Sequence, residues 1–95
     1  MDLSFEWDPR KESANRRKHR VSFAEAVAVF GNPLARIFDD PDHSGREARE
    51  LIVGHSKQQR LFVVCFVQRG DRIRIFSARK ATRQERQDYE KGVNR

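Results

Sequence analysis

The chain has 95 residues, of which 37% are apolar, so it fits one domain (1–95) with a thin core. Lys and Arg number 20 against 14 Asp and Glu, and the net charge of +6 favours anionic partners without fixing a fold. A single cysteine excludes an intrachain disulfide, and no apolar run approaches the roughly 20 residues of a membrane-spanning helix.

The N-terminal Met1-Asp2-Leu3-Ser4-Phe5 lacks the basic-then-apolar layout of a signal peptide, so the expected compartment is a reducing cytoplasm with no membrane partner. Leu3 to Trp7 alternates and predicts a short strand. Asp8-Pro9 is a helix start, with Asp8 as N-cap and Pro9 in the first turn. The segment Arg10 to Arg20 carries six cations, one acid (Glu12) and one aliphatic residue, Ala14. Such a helix is held by its ends and by long side-chain stems. Ser22-Phe23-Ala24-Glu25 reads as a capping box. It opens a helix with Phe23, Ala26, Val27 and Phe30 on one stripe, stopped by Gly31-Asn32-Pro33.

Leu34 to Phe38 predicts a strand, and the acidic run from Asp39 to Gly45 is turn chemistry. Leu51 to Gly54 continues as a strand starting near Arg49, and Lys57-Gln58-Gln59 turns the chain. Arg60 to Gln68 is apolar on both faces and predicts the central strand, with Cys65 as a small core residue. Gly70-Asp71 makes a hairpin into Arg72 to Arg79. A second capping box, Thr82 with Glu85, starts a last helix whose inner face holds Ala81, Glu85, Tyr89 and Val93. The order β-α-α-β-β-β-β-α predicts an α+β fold, an antiparallel meander with helices packed on it.

No Cys-x-x-Cys, His-Glu-x-x-His, Gly-rich phosphate loop or Gly-x-Ser-x-Gly elbow is present, so neither metal nor cofactor is expected. What remains is cation chemistry. The run from Arg72 to Thr82 alternates cations with apolar residues and ends at a helix start, an edge suited to a polyanion. RNA carries its own nucleophile, the 2′-hydroxyl. Cutting it without metal requires a base, an acid and cations around the phosphorane. Arg60 opens one strand and Arg79 closes its neighbour, and antiparallel pairing can bring those ends together. Alternation puts Arg79 in phase with Ile73 and Ile75. Tyr89 follows on the inward side of the last helix. His43, in a turn, can titrate near neutrality, with Glu47 and Arg49 close by. Arg49, Arg74, Lys80 and Lys57 are candidate RNA-backbone contacts. Each has an ordinary alternative: Arg60 as an edge cap, His43 as a turn stabiliser, Glu47 as a partner of Arg46 or Arg49, Tyr89 as a hydrophobic anchor, and the basic helix as a solvated face.

The ordered pieces resemble the BrnT family of bacterial toxins. They are Phe5-Glu6-Trp7-Asp8, Lys11, Asn15, Lys18-His19, Val21-Ser22-Phe23, Glu25-Ala26, Val29-Phe30, Asn32-Pro33, Asp42-His43-Ser44, Glu47, Arg49, Gly54-His55-Ser56, Arg60-Leu61, Arg74-Ile75, Ser77-Ala78-Arg79-Lys80-Ala81, Glu85 and Tyr89-Glu90. The resemblance implies a RelE-like fold and RNA cleavage that blocks translation, within a type II toxin–antitoxin pair. It also implies a BrnA-type antitoxin with a ribbon-helix-helix DNA-binding part, through which operator DNA would mainly be contacted. Arg60 and Arg79 match the RelE-like layout of catalytic cations by position, and Tyr89 matches more loosely. Arg20 departs from the pattern: it stands where Gly commonly follows the Lys-His pair, and a left-handed backbone there is strained for Arg. Two other functions fit the charge equally well. One is a non-catalytic nucleic-acid-binding module, the other a subunit that only receives an acidic antitoxin.

Overall fold

The computed structural model describes residues 3–41 and 48–93. Its elements run β1 (Ser4–Glu6), α1 (Pro9–His19), α2 (Phe23–Val27) continued by a 3-10 turn (Ala28–Gly31), β2 (Arg36–Asp39), β3 (Glu50–His55), β4 (Leu61–Arg69), β5 (Arg72–Lys80) and α3 (Arg83–Val93). The predicted order is therefore observed. One five-stranded sheet has the spatial order β1-β5-β4-β3-β2. Strands β2 to β5 form the expected antiparallel meander, with β4 in the middle. β1 returns to the far edge and pairs parallel with β5, over Arg72 to Arg74 only. Among the described residues, no helix is long and apolar enough to cross a membrane.

Alternation along β4 divides the core into two faces. Phe62, Val64 and Phe66 point to one face, where they join Val21, Phe23, Ala26, Val29, Ile52, Ile73, Ile75 and Ala78. Aromatic rings fill that layer: Phe30 meets Phe66 edge-on at 5.0 Å and Trp7 meets Phe23 at 5.8 Å. Leu61 and Val63 point to the other face and pack with Val53 and Tyr89 of α3. Gly54 lets the 3-10 turn and the lead into β2 press onto β3. A Cβ there would lie 2.9 Å from Ala35 Cβ and 3.1 Å from Val29 Cγ1.

α1 has almost no apolar face, so its attachment is polar. The buried Asn15 amide works as a strand partner for β5. Its Nδ2 donates to the Ala78 carbonyl at 2.7 Å, and its Oδ1 accepts from the Ala78 N–H at 3.1 Å. Nδ2 also donates to the Val21 carbonyl at 2.9 Å. The edge of β5 beyond Arg74, left open by the short β1, is thereby paired by a side chain. Glu12 is used too: its carboxylate accepts the Phe23 N–H at 3.1 Å and caps α2.

The two capping boxes differ. Thr82 and Glu85 exchange bonds of 3.1 and 2.8 Å in the full reciprocal pattern. Ser22 accepts from the Glu25 N–H at 3.0 Å, but Glu25 does not reach back. Its carboxylate accepts instead from Ser56 Oγ at 2.9 Å and from Arg60 at 3.1 Å, because β3 ends and β4 begins beside it. Arg20 does adopt the left-handed conformation (φ 59°, ψ 33°) and closes α1 by donating its N–H to the Arg16 carbonyl at 2.9 Å.

Stability measurements check both features of α1. Asn15→Ala leaves the buried Ala78 N–H and two carbonyls without partners and is expected to cost about 3 kcal/mol. Arg20→Gly removes the left-handed penalty and is expected to raise stability by about 1 kcal/mol. Urea unfolding reads both. A neutral Asn15→Ala would contradict the strand-partner role, and a destabilised Arg20→Gly would contradict the strain.

Candidate nucleic-acid interface

The candidate site lies on the α3 face of the sheet, and a β-bulge puts it there. Cys65 pairs with Ser77 and Phe66 with Ile75, so Phe76 has no partner on β4. Past the bulge the phase flips. Ile73 and Ile75 belong to the α1–α2 face, but Arg79, opposite Val63, points to the α3 face. The expected phasing of Arg79 with Ile73 and Ile75 is thus corrected. Strict alternation fails across one inserted residue.

Arg79 is a half-buried fork held by a carboxylate. Its NH1 donates to Glu85 Oε1 at 2.7 Å and its NH2 to Oε2 at 2.9 Å. NH1 also donates to the Lys80 carbonyl at 3.3 Å. Arg has five N–H donors in a plane, so Nε and the second NH2 hydrogen stay open for an oxyanion. Glu85 at the same time closes the Thr82 box. One carboxylate therefore caps α3 and aims Arg79. The Arg79 hydrogen bonds hold the Glu85 carboxyl far down, at about 2, helped by the Thr82 N–H and opposed by burial. The same bonds raise the Arg79 guanidinium above its ordinary value.

Other expected residues have partners of their own. Arg49 stacks on Phe76, with Cζ 3.8 Å from the ring centroid, and Lys11 approaches the same ring at 5.2 Å. The Asp40 N–H donates to the Arg49 carbonyl at 3.0 Å, so the ends of the acidic connection meet at the end of the β2–β3 pair. His43 and Glu47 lie outside the described residues. Cys65, 7% exposed, donates to Asp40 Oδ2 at 3.5 Å; burial, then that carboxylate, pushes its thiol up to about 11. It is a core residue, as expected, and a poor nucleophile.

Tyr89 is 6% exposed; its hydroxyl donates to the Leu34 carbonyl at 3.0 Å and its ring meets His55 edge-on at 5.6 Å. Burial raises its pKa. It packs α3 on the sheet and walls a cleft of about 370 Å³ with Phe38, Leu51, Val53, Val63 and Glu85. Arg74 donates to Glu6 at 2.7 Å across the parallel pair, while Lys57 and Lys80 are exposed.

Arg60 is elsewhere. It is in phase with Phe62, whose ring centroid is 5.0 Å from its Cζ, on the α1–α2 face. It bonds Glu25 at 3.1 Å and donates to the Arg20 carbonyl at 3.1 Å. The strand ends of Arg60 and Arg79 are neighbours, but the side chains leave opposite faces of the sheet. The expected pairing of the two around one phosphate is corrected accordingly. The stacked Arg49–Phe76 pair was missed at sequence level. Its signal was Ile75-Phe76, two adjacent large apolar residues interrupting an alternating strand. Among the described residues no group of three or more His, Cys, Asp or Glu is placed to hold a metal ion.

The family described as "Ribonuclease toxin, BrnT, of type II toxin-antitoxin system" matches residues 7–85. The chain belongs to the BrnT family. Its fold is similar to the crystal structure of the Brucella abortus ribonuclease toxin BrnT. The TM-score is 0.65 at 21% identity, over 85% of this chain and 99% of that one. No curated protein matches the chain. The family description makes its members ribonuclease toxins of toxin–antitoxin systems, so RNA and an antitoxin are the partners it implies.

The Arg79–Glu85 pair makes stability depend on pH. Glu85 titrates at about 2 in the fold against an ordinary 4.5, so its contribution is complete above 4.5 and fades as pH falls toward 2. The stability gap between the protein and Glu85→Gln is expected to be full and level above about pH 5 and to close toward pH 2. A gap independent of pH would contradict the clamp.

Proposed function

We propose that this BrnT-family chain is a metal-independent endoribonuclease whose phosphate-holding residue is Arg79. The observation that carries the reading is the bidentate grip of Arg79 by Glu85. Glu85 fixes the plane of the guanidinium and leaves Nε–H and one NH2 hydrogen aimed for phosphate oxygens. In this reading the 2′-oxygen attacks the neighbouring phosphorus while a base takes its proton. The 5′-oxygen leaves with a proton from an acid. The products are a 2′,3′-cyclic phosphate and a 5′-hydroxyl. Arg79 stabilises the phosphorane charge as it forms. His43 and Glu47 are the proposed proton carriers, in the connection whose ends meet at Asp40 and Arg49. Arg49 on Phe76 supplies a second cation beside a ring face on which a base can stack. Arg74, Lys80 and Lys57 contribute to the RNA-backbone field.

Tyr89 is proposed as the anchor of α3, since its hydroxyl already has an acceptor. Arg60 is proposed as a strut between Glu25 and the Arg20 carbonyl. Cleavage of cellular RNA would block translation and arrest growth in the cytoplasm until a BrnA-type antitoxin binds. Its ribbon-helix-helix part would make the operator contacts.

Purified protein is expected to cut RNA in EDTA. Arg79→Ala is expected to stay folded and lose about 10²- to 10³-fold in rate, the scale of one lost transition-state donor. Undiminished cleavage by a folded Arg79→Ala would overturn its role. RNA binding without new ends would favour the non-catalytic module, and tight antitoxin binding with no growth arrest would favour the interaction subunit.

A further inference from the structure

The C-terminal end of α1 gathers cations that the fold does not use. Arg16, Arg17 and Arg20 line one shallow depression of about 520 Å³ together with Ser13. All three arginines are exposed. Among the described residues, Arg16 has one distant acid, Glu12, at 4.0 Å. No acid lies within ion-pair distance of Arg17 or Arg20 among the described residues. Arg60, just before β4, and three arginines of β5 behave differently: Arg60 is matched to Glu25, Arg72 and Arg74 to Glu6, and Arg79 to Glu85. A helix C-terminus favours cations in its last turn. Three guanidiniums around one depression also repel one another.

The backbone adds a second, independent observation. Arg20 holds a left-handed conformation at φ 59°, where glycine would be free of strain. Retaining Arg at such a position costs stability, and strain of this kind collects at functional positions. The conformation also places the residue one turn after Arg16, so the two share a side of the helix.

We propose that Arg16, Arg17 and Arg20 form a phosphate-binding exosite for single-stranded RNA, separate from the Arg79 site. The ligand is the sugar-phosphate backbone, recognised by charge and guanidinium geometry and not by base identity. The two sites lie at the same end of the sheet. Arg60 holds the Arg20 carbonyl, and Lys80, exposed and paired opposite Phe62, stands between them on β5. A strand engaged at Arg79 would reach α1 by passing around that end. The inference rests on the RNA reading proposed above.

The test is the salt dependence of binding to a fluorescein-labelled, 2′-O-methylated single-stranded RNA of mixed sequence, which lacks the nucleophile and stays intact. Each phosphate contact on a single strand contributes about 0.7 to the slope of log K against log salt. Arg17→Gln/Arg20→Gly is expected to lower the slope by about 1.4. The charge-matched Arg10→Gln/Lys91→Gln is expected to lower it by less than half as much. Because Gly at position 20 relieves the backbone, a melting temperature at or above that of Arg17→Gln alone separates lost contacts from misfolding. An unchanged slope in the first variant, or an equal fall in both, overturns the exosite while leaving the RNA reading intact. So does unchanged RNA binding with lost binding to polyglutamate, which would assign the cluster to an acidic peptide. No RNA binding by the unmodified protein at any salt overturns the RNA reading, and the exosite with it.

Discussion

The fold depends on how a helix with no apolar face is held to a strand that lacks a neighbour. β5 is paired by β1 only as far as Arg74. Beyond it, one buried amide completes the edge, satisfying both backbone groups of Ala78 and the Val21 carbonyl. A buried amide fixes geometry in a way that an apolar contact does not, because every bond it fails to make carries a desolvation cost. α1 is thereby locked in register with β5. The end of α1, the start of α2 and the far end of β5 are set by one side chain. The arginine cluster of α1 takes its position from it, whereas Arg79 is set by the β4–β5 register and by Glu85.

A similar economy governs the α3 side. Glu85 grips Arg79 with both carboxylate oxygens and closes a capping box with one of them, Oε1. The first helical turn and the guanidinium fork therefore order together, and neither is free to drift while α3 stays anchored by Tyr89. Arg79 keeps open donors while its orientation is fixed, which is what electrostatic preorganisation requires. Its permanent charge means that titration of Glu85, not of Arg79, loosens the arrangement in acid.

Much of this was legible from the sequence. Capping residues, the amphipathic stripe from Phe23 and the doubly apolar β4 specify the element order and the meander, because each is a local signal with a local cause. Three things were not. β1 crosses to the far edge and pairs in parallel, and nothing within Leu3 to Trp7 encodes its partner. The bulge at Phe76 reverses the face of Arg79, and a one-residue slip inverts everything beyond it. Arg60 and Arg79 close neighbouring strand ends, but side-chain phase sends them to opposite faces. The departure at Arg20 was readable as backbone strain. The unpaired charges that give it meaning appear only once the arginines of α1 are seen together.

The central claim is that RNA supplies its own nucleophile while Arg79 holds the phosphate. Replacing the single 2′-hydroxyl at a mapped cleavage position by hydrogen, in EDTA, tests this most directly. The account predicts that cutting at that bond disappears while neighbouring sites are still cut, and that the remaining products end in 2′,3′-cyclic phosphate and 5′-hydroxyl. Continued cleavage at the deoxy position, or products carrying a 5′-phosphate, would contradict it.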